Sequence, residues 1–284
     1  MASRLAILLH HREIRELSEH HHLISYMVDV WQGMGLDIVV FRGIPSAPCR
    51  FDVLLPHIDL TVIPPEYQLF CARFPMVLNR KLHDISKRNI SQNLVDKHAD
   101  YDGPVIVKTD ANYGGFPEYN NRRVIEKVAD RIYSFFKPAH IRKIHPSKYP
   151  VYEEKSLVPV AVWKNKRLVV ERFMAEREGE YYCNRICFFF GHVVLNYKIY
   201  SKSAVIKSGD IEIMEPVKAP QELLVAREEL GLDYGKFDYV MNDGKVQILD
   251  ANTTLGGAKS IELNTMMAEK LAVGISKYLS LAKS

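Results

Sequence analysis

The sequence predicts a small parallel α/β domain followed by a larger α+β body that is rich in antiparallel strands. Two observations predict this class. Apolar runs alternate with helical spacings over the first part of the chain, and paired strand patterns joined by tight turns dominate after residue 150. The chain has 284 residues, of which 47% are hydrophobic, and this is enough material for more than one buried core.

The N-terminal elements follow from three local patterns. Leu5–Leu9 is a continuous apolar run, which is typical of a strand that is covered on both faces. Apolar residues recur at helical spacing from Leu23 to Met34, and the glycines around this point predict the end of the helix. Further strands are predicted at Asp37–Phe41, Phe51–Leu55 and Pro75–Leu78, with a short helix that begins at Pro64-Pro65.

The rest of the chain is predicted to be a mixture of helices and antiparallel strands. Helices are predicted at Asp84–Asp100, Arg122–Phe136, Pro220–Leu230 and Ile261–Leu279. Strands are predicted at Pro104–Lys108, Val158–Trp163, Arg167–Glu171, Tyr181–Phe190, Val193–Tyr200, Lys236–Val240 and Lys245–Leu249. The last two strands flank Asn242-Asp243-Gly244, a strong hairpin signal.

Composition and cysteine usage narrow the class of protein. The net charge of +4 comes from basic residues spread along the chain, so a nucleic-acid partner is not required. Cys183 and Cys187 lie about 13 Å apart on a predicted strand, too far for a disulfide, and free thiols in a reducing compartment are expected. The apolar run Leu5–Leu9 is interrupted by His10, and no stretch reaches the ~18 apolar residues of a membrane span. We therefore expect a cytoplasmic protein without a signal peptide.

The sharpest chemical feature is the segment Gly231–Gly257. Asp238 lies on the first strand of the predicted hairpin, and Asp250 and Asn252 follow the second strand two residues apart, on one face. Antiparallel pairing across the turn can bring all three together as an all-oxygen site, which Mg²⁺ prefers. The alternative is that these are solvated strand-end or turn residues, but each is flanked by core-type residues.

At this point the chain resembles the ATP-grasp superfamily. The resemblance rests on the strand carboxylate Asp238, the hairpin, and Asp250-Ala251-Asn252 leading into the small-residue loop Thr253–Gly257. Upstream, in the order that the superfamily has, Lys108 ends a strand, Tyr113-Gly114-Gly115-Phe116 follows it, and Val169–Met174 resembles the hinge between two ATP-binding lobes. Two positions depart from the pattern: Asp250 stands where many members have glutamate, and Leu255 where proline is common.

The resemblance implies a domain organisation and a set of site residues. It implies an N-terminal α/β domain at residues 1–84, and a two-lobed ATP-grasp domain with a small lobe at 85–172 and a large lobe at 173–284. Implied nucleotide-binding residues are Lys87, Lys108, Gly114, Gly115, Glu171, Arg172, Phe173, Glu178 and Glu180. Implied metal ligands are Asp238, Asp250 and Asn252, and implied catalytic cations are Lys108, Arg185 and Lys198. The implied cofactors are ATP and Mg²⁺ or Mn²⁺.

The resemblance also implies a reaction. A carboxylate substrate, small molecule or peptide, would attack the γ-phosphorus of ATP, and an amine-type acceptor would displace phosphate from the resulting acyl phosphate. One alternative is a small-molecule kinase that uses the same cleft, and another is an ATP-binding regulatory protein without turnover. Nucleic-acid binding is disfavoured because no aromatic-basic motif of the usual RNA modules occurs. The sequence does not decide between a monomer and a homodimer.

The histidines indicate a metal site or a substrate contact less strongly than the segment Gly231–Gly257 indicates its site. Consecutive side chains of His20-His21-His22 would point about 100° apart on a helix and cannot share one metal ion, so a solvated helix start is expected. His10 and His11 follow the first predicted strand of an α/β unit, where ligands gather, and are candidates for substrate contact.

Overall fold

The structure is a computed structural model that describes residues 3–13, 17–20, 22–123, 125–129, 143–258 and 260–282. The predicted helix Arg122–Phe136 lies largely outside the described residues, although 125–129 are helical. None of the described helices has both the length and the apolar character needed to cross a membrane.

The N-terminal domain is a parallel sheet of order β2-β1-β3 with helices against it, as predicted. Its elements are β1 (Arg4–Leu9), α1 (Leu23–Gly33), β2 (Asp37–Arg42), β3 (Val53–His57) and α2 (Pro65–Cys71). The central strand β1 is buried from Leu5 onward, which explains its uninterrupted apolar sequence. Because β1 and β3 are parallel, His10 and His57 lie at the same edge of the sheet.

The predicted strand Pro75–Leu78 is wrong. The segment makes only one isolated parallel bridge, between Leu54 and Val77, supported by hydrogen bonds from Leu54 N to Met76 O and from Leu78 N to Leu54 O. A strand cannot continue further because Pro75 has no N–H group and Asn79 adopts a positive φ of 53°.

The small lobe is an antiparallel sheet of order β5-β4-β6. Its elements are α3 (Lys87–Ile90), β4 (Val105–Thr109), α4 (Phe116–Asn120), β5 (Val151–Tyr152), α5 (Val160–Lys164) and β6 (Leu168–Arg172). The strand predictions at Pro104–Lys108 and Arg167–Glu171 are confirmed. The predicted strand at Val158–Trp163 is wrong: Pro159 precedes a short helix there, with φ −55° already suited to a helix start.

The predicted helix over Asp84–Asp100 is also wrong, apart from α3. Short polar side chains hold the backbone in turns instead: Asp84 accepts from Ser86 N, Ser91 from Asn93 N, and Asp96 from His98 N. Such local side-chain hydrogen bonds compete with helix formation. The chain then runs beside β6, where Val95 N donates to Val170 O.

The large lobe is an antiparallel sheet of order β10-β9-β8-β11-β12, with β7 paired to β8. Its elements are β7 (Glu176–Glu178), β8 (Tyr181–Phe190), β9 (Val193–Ser201), β10 (Ile213–Pro216), α6 (Gln221–Leu230), β11 (Tyr234–Asn242), β12 (Lys245–Asn252), α7 (Ile261–Ala272) and α8 (Ser276–Leu281). The predicted hairpins and helices are confirmed here, although a 3-10 turn at Val273–Ile275 interrupts the predicted closing helix.

The N-terminal domain and the large lobe share one hydrophobic core. Trp31 of α1 is fully buried, donates from Nε1 to Ala272 O at 3.0 Å, and meets the Phe190 ring edge-on at 5.8 Å. Leu23 N donates to Leu255 O at 2.9 Å in the loop after β12. This packing fixes the loop that follows the predicted metal ligands against the strand ends of the N-terminal domain.

Candidate active site

The hairpin β11–β12 places the two predicted metal-binding carboxylates side by side. Asp238 is directly paired with Asp250, and Lys236 with Asn252, so these four side chains are neighbours on adjacent strands. The turn, where Asp243 (φ 50°) and Gly244 (φ 75°) both adopt the left-handed conformation that tight hairpins need, sets the register as far as the pair Tyr239 and Ile248. A register shift between Tyr239 and Asp238 then places Asp250, rather than Leu249, opposite Asp238.

Gly235 allows β12 to approach β11 closely at this point. Its φ is +154°, and a Cβ atom there would lie 2.3 Å from the carbonyl oxygen of Asn252. Any other residue would push the backbone that carries Asn252 away from Asp238.

Two lysines contact the carboxylates. The Nζ of Lys236 lies 2.9 and 2.7 Å from the two carboxylate oxygens of Asp238, and the Nζ of Lys87 lies 3.3 Å from both oxygens of Asp250. Lys87 is 3% exposed and also donates to Ala111 O at 3.4 Å. Burial lowers the pKa of Lys87, but neighbouring negative groups, Asp250 foremost, outweigh burial and raise it, so the ammonium stays charged.

The small lobe supplies a second buried ion pair. Ile106 pairs with Glu171 and Lys108 with Val169 in the β4–β6 register, so Lys108 and Glu171 share a face of the sheet. Their side chains meet at 2.6 Å, and Glu171 is fully buried. The other carboxylate oxygen of Glu171, Oε1, has no hydrogen-bond partner among the described residues and is therefore an available acceptor.

Two backbone N–H groups of the predicted hinge form hydrogen bonds within the protein. Arg172 N donates to Asn93 O at 2.8 Å, and Phe173 N donates to Pro104 O at 2.8 Å. These two N–H groups are therefore used within the protein.

The remaining predicted cations are paired on the large sheet. Arg185 and Lys198 are directly opposite each other in the β8–β9 register. Arg185 bonds Glu176 at 2.5 Å, and Lys198 bonds Glu178, whereas Glu180 is exposed. Burial lowers the pKa of Lys198, but the hydrogen bond to Glu178 is the main effect that reverses this and raises it. Their predicted role in catalysis stays a prediction.

The glycine loop after β4 is held against the N-terminal domain. Tyr113 (φ 43°), Gly114 (φ 69°) and Gly115 (φ 78°) turn the chain sharply into α4. Glu118 of α4 accepts hydrogen bonds from Thr61 N at 2.7 Å and Thr61 Oγ1 at 2.5 Å. A cavity of about 430 Å³ lies between this loop and the N-terminal domain, and Gly115 is the predicted site residue that lines it.

The carboxyl ends of β1 and β3 meet the loop after Asn252. Thr254 Oγ1 donates to Asp59 at 2.9 Å, and burial raises the pKa of Asp59 despite that hydrogen bond. The ring of His57 is buried, lies 5.4 Å from that of His22, and has no hydrogen-bond partner among the described residues on either nitrogen. Burial, and secondly His22, hold the pKa of His57 well below 6.5. These groups border the predicted metal end.

Comparison with solved structures identifies the fold. The chain superimposes on the D-cycloserine synthetase DcsG with a TM-score of 0.55 at 14% identity, covering 98% of this chain and 100% of that one. It superimposes on the ATP-grasp ligase PsnB, solved with a minimal precursor, with a TM-score of 0.57 at 12% identity and full coverage of both chains. The chain has the ATP-grasp fold. No protein-family model and no curated protein sequence matches it.

The comparison also bears on the predicted metal ligands Asp238, Asp250 and Asn252. A further structure of PsnB, complexed with a minimal precursor, Mg and ADP, matches with a TM-score of 0.54 at 11% identity, covering 96% of this chain and 97% of that one. Within the described residues of this ATP-grasp chain, no group of three or more His, Cys, Asp or Glu side chains is arranged to hold a metal ion. The predicted set contains two carboxylates and one carboxamide. Their oxygen atoms are the kind of ligand that Mg²⁺ prefers. Each of the two carboxylates forms an ion pair with a lysine, Asp250 with Lys87 and Asp238 with Lys236.

Sequence reasoning missed several residues of the cleft. Lys236, Glu176 and Glu118 contact predicted site residues or hold a predicted loop, but none had been singled out. The position of Lys236 beside the metal ligands could have been predicted, because it stands two residues before Asp238 on the same strand and therefore lies on the same face. The roles of Glu176 and Glu118 depend on partners that are distant in sequence or on exact side-chain placement.

Of the histidines predicted to contact substrate, His10 is buried at the end of β1, with its ring 5.6 Å from Tyr67. His11 donates its backbone N–H to the Tyr67 hydroxyl at 2.9 Å. Their contact with substrate stays a prediction. In the other group, His20 bonds Asp29 at 2.8 Å and His22 precedes α1, while His21 lies outside the described residues.

Proposed function

We propose that this chain is an ATP- and Mg²⁺-dependent ligase that joins a carboxylate substrate to an amine-type acceptor through an acyl phosphate. The contact that carries the proposal is that of Lys87. Its ammonium joins α3 to Asp250 at the end of β12 and to Ala111 at the glycine loop, so three predicted ATP-binding segments meet at one point. Three solved structures of like fold support it: the D-cycloserine synthetase DcsG, the ATP-grasp ligase PsnB, and a RimK domain ATP-grasp protein from Sphaerobacter thermophilus. The last matches with a TM-score of 0.50 at 12% identity and covers 98% of this chain and 100% of that one.

In this proposal, different residues of the cleft bind the phosphates, the nucleobase, the ribose and the metal ion. Lys108 and Lys87 hold phosphate oxygens, and Glu171 Oε1 accepts from the nucleobase. Asp238, Asp250 and Asn252 hold Mg²⁺, which when bound neutralises the phosphates and lowers the barrier to phosphoryl transfer. We assign to Glu178, which is paired with Lys198, the role of accepting hydrogen bonds from the ribose hydroxyls.

The substrate carboxylate attacks the γ-phosphorus, and ADP leaves. Closure of the glycine loop, anchored by Glu118 on Thr61, excludes the water that would hydrolyse the acyl phosphate. We place the acceptor at the carboxyl ends of β1 and β3, beside His57 and Asp59, because the loop after Asn252 brings these groups to the phosphate end.

We also propose that the protein works in the cytoplasm. All four cysteines are free thiols, and Cys71, Cys183 and Cys187 are buried. Burial raises the pKa of Cys187 to about 12 and that of Cys71 to about 11, which keeps both thiols protonated and unreactive. Free cysteines are typical of reducing compartments.

The test is ATP turnover over a panel of carboxylates and amines, with mass spectrometry of the products and hydroxylamine to trap acyl phosphates. Asn252→Ala and Asp250→Asn should each lower Mg²⁺-dependent ADP release by about a hundredfold or more. Asp243→Asn removes a carboxylate from the turn of the same hairpin and should leave turnover within about twofold.

Three results would count against the proposal. Unchanged turnover in Asn252→Ala or Asp250→Asn refutes the metal assignment. A phosphorylated hydroxyl product, without acyl phosphate, identifies a kinase. ATP binding with no ADP release across the whole panel identifies a binding protein.

A further inference from the structure

Both predicted metal-binding carboxylates already hold a cation that belongs to the protein. The ammonium of Lys236 touches both oxygens of Asp238, at 2.9 and 2.7 Å, and the ammonium of Lys87 lies 3.3 Å from both oxygens of Asp250. A cation that contacts both oxygens of a carboxylate occupies the position that a metal ion would take in bidentate ligation.

We propose that Lys236 and Lys87 are exchangeable counter-ions of the metal site. Each holds its carboxylate until a divalent cation displaces it, and each then turns to the phosphates of the nucleotide. The inference rests on the proposed function, because it takes Asp238 and Asp250 as metal ligands. It goes beyond that function by giving Lys236 a role and by predicting that metal and nucleotide promote each other's binding.

The exchange is required by the charges. An ammonium and a divalent cation on the same carboxylate would stand only a few ångströms apart and repel strongly in a partly buried cleft. Lys236 has room to move, since its side chain is 21% exposed. The Lys87 side chain is only 4% exposed, so after release it stays in the cleft beside the glycine loop.

The charges also explain why the two ligands should bind together. Without ligands, the two carboxylates and two ammoniums cancel, so the site is neutral. A divalent cation alone would release two buried or half-buried positive charges with no partner, and a nucleotide alone would meet Asp238 and Asp250. When both ligands are bound, the divalent cation pairs with the two carboxylates and the phosphates pair with the two ammoniums. Each ligand should therefore raise the affinity for the other, because such coupling is reciprocal.

The experiment measures Mn²⁺ binding in the absence of nucleotide, from the electron paramagnetic resonance signal of free Mn²⁺. Lys236→Met should bind Mn²⁺ about fivefold or more tightly than the wild type, which corresponds to about 1 kcal/mol for a partly exposed ion pair. Lys236→Arg keeps the counter-ion and should stay within about twofold of the wild type. Lys245→Met removes a lysine charge at the other end of β12, and its Mn²⁺ affinity should also stay within about twofold of the wild type.

A second measurement, calorimetric titration of ATP with and without Mn²⁺, separates this inference from the proposed function. Mn²⁺ should raise the ATP affinity of the wild type, and by a smaller factor in Lys236→Met, where the metal site is already free. If Lys236→Met binds Mn²⁺ alone no better than the wild type, the exchange is refuted while ATP binding can still hold. If the wild type binds no ATP with or without Mn²⁺, the proposed function fails, whatever the variant shows. Should Lys236→Met fail to fold by circular dichroism, Lys236→Gln replaces it.

Discussion

The ion pair between Lys108 and Glu171 should make the small lobe unusually sensitive to one substitution. Lys108→Met removes the ammonium but keeps most of the side-chain volume. It leaves the carboxylate of Glu171, which is fully buried and whose Oε1 already has no hydrogen-bond partner among the described residues, without its cation. A buried charge without a partner is among the most destabilising changes that a single substitution can make.

The distance of 2.6 Å between Lys108 Nζ and Glu171 Oε2 sets the scale of the loss. With an effective dielectric constant of about 20, two unit charges at that distance attract by about 6 kcal/mol. Water entering beside the Lys108 side chain, which is 14% exposed, recovers part of this. We therefore expect Lys108→Met to lower the free energy of unfolding by about 3 to 5 kcal/mol, a large share of the 5–15 kcal/mol that is typical of a folded protein.

Urea unfolding, followed by circular dichroism, measures this cost and identifies its source. Glu171→Gln in the Lys108→Met background removes the unpaired charge and should recover about 2 kcal/mol or more, although ATP binding stays lost because the phosphate ligand is gone. Lys166→Met changes an exposed lysine in the turn before β6 and should shift stability by less than about 0.5 kcal/mol. A cost below about 1 kcal/mol for Lys108→Met, or no recovery in the double variant, would refute the reasoning.

Two further predictions concern the edges of the site. Below about pH 6.5 the unfolded chain protonates His57 while the folded state, whose His57 pKa is held well below 6.5, resists, so the free energy of unfolding should fall by up to about 1.4 kcal/mol per pH unit. His57→Gln should reduce that slope in urea unfolding between pH 7.5 and 5.5; an equal slope would contradict the burial of a neutral imidazole. Gly235→Ala should displace Asn252 and weaken Mn²⁺ binding in the presence of ATP, since the new Cβ would lie 2.3 Å from Asn252 O. Gly33→Ala, where nothing lies within 4 Å and φ is not positive, is the control, and equal effects of the two would exclude the steric cause.

The hairpin at the metal end was predictable because its turn chemistry is local. Asn242-Asp243-Gly244 supplies the residues that tolerate positive φ, and the turn sets the register of the flanking strands. Once the register is set, alternation along each strand fixes which side chains are neighbours. The exact pair was not predictable from the turn, because its register continued without interruption would pair Asp238 with Leu249, and the irregularity between Asp238 and Tyr239 brings Asp250 opposite Asp238 instead.

Two failed predictions of regular structure have different physical reasons. Asp84–Asp100 has few apolar residues, so its conformation is decided by side chains such as Asp84 and Ser91 that bond to nearby backbone groups rather than by hydrophobic periodicity. Val158–Trp163 has β-branched residues typical of a strand, but Pro159 and packing against the small sheet favour a helix. In the first segment local side-chain hydrogen bonds decide the conformation, and in the second tertiary packing outweighs the local signal.

The ion pairs of the cleft were beyond reach of the sequence, and they change how the site residues must be interpreted. The sequence suggested separate ligand roles for cations and carboxylates, whereas the structure pairs them: Lys87 with Asp250, Lys108 with Glu171, Lys198 with Glu178. The proposed function asks the cleft to bind a polyanion and a divalent cation, which needs charges of both signs, and in this structure those charges are paired with each other. Each substitution here therefore removes a ligand contact and also leaves an unpaired charge. A lost ATP affinity identifies a nucleotide ligand only when the free energy of unfolding is measured on the same variant.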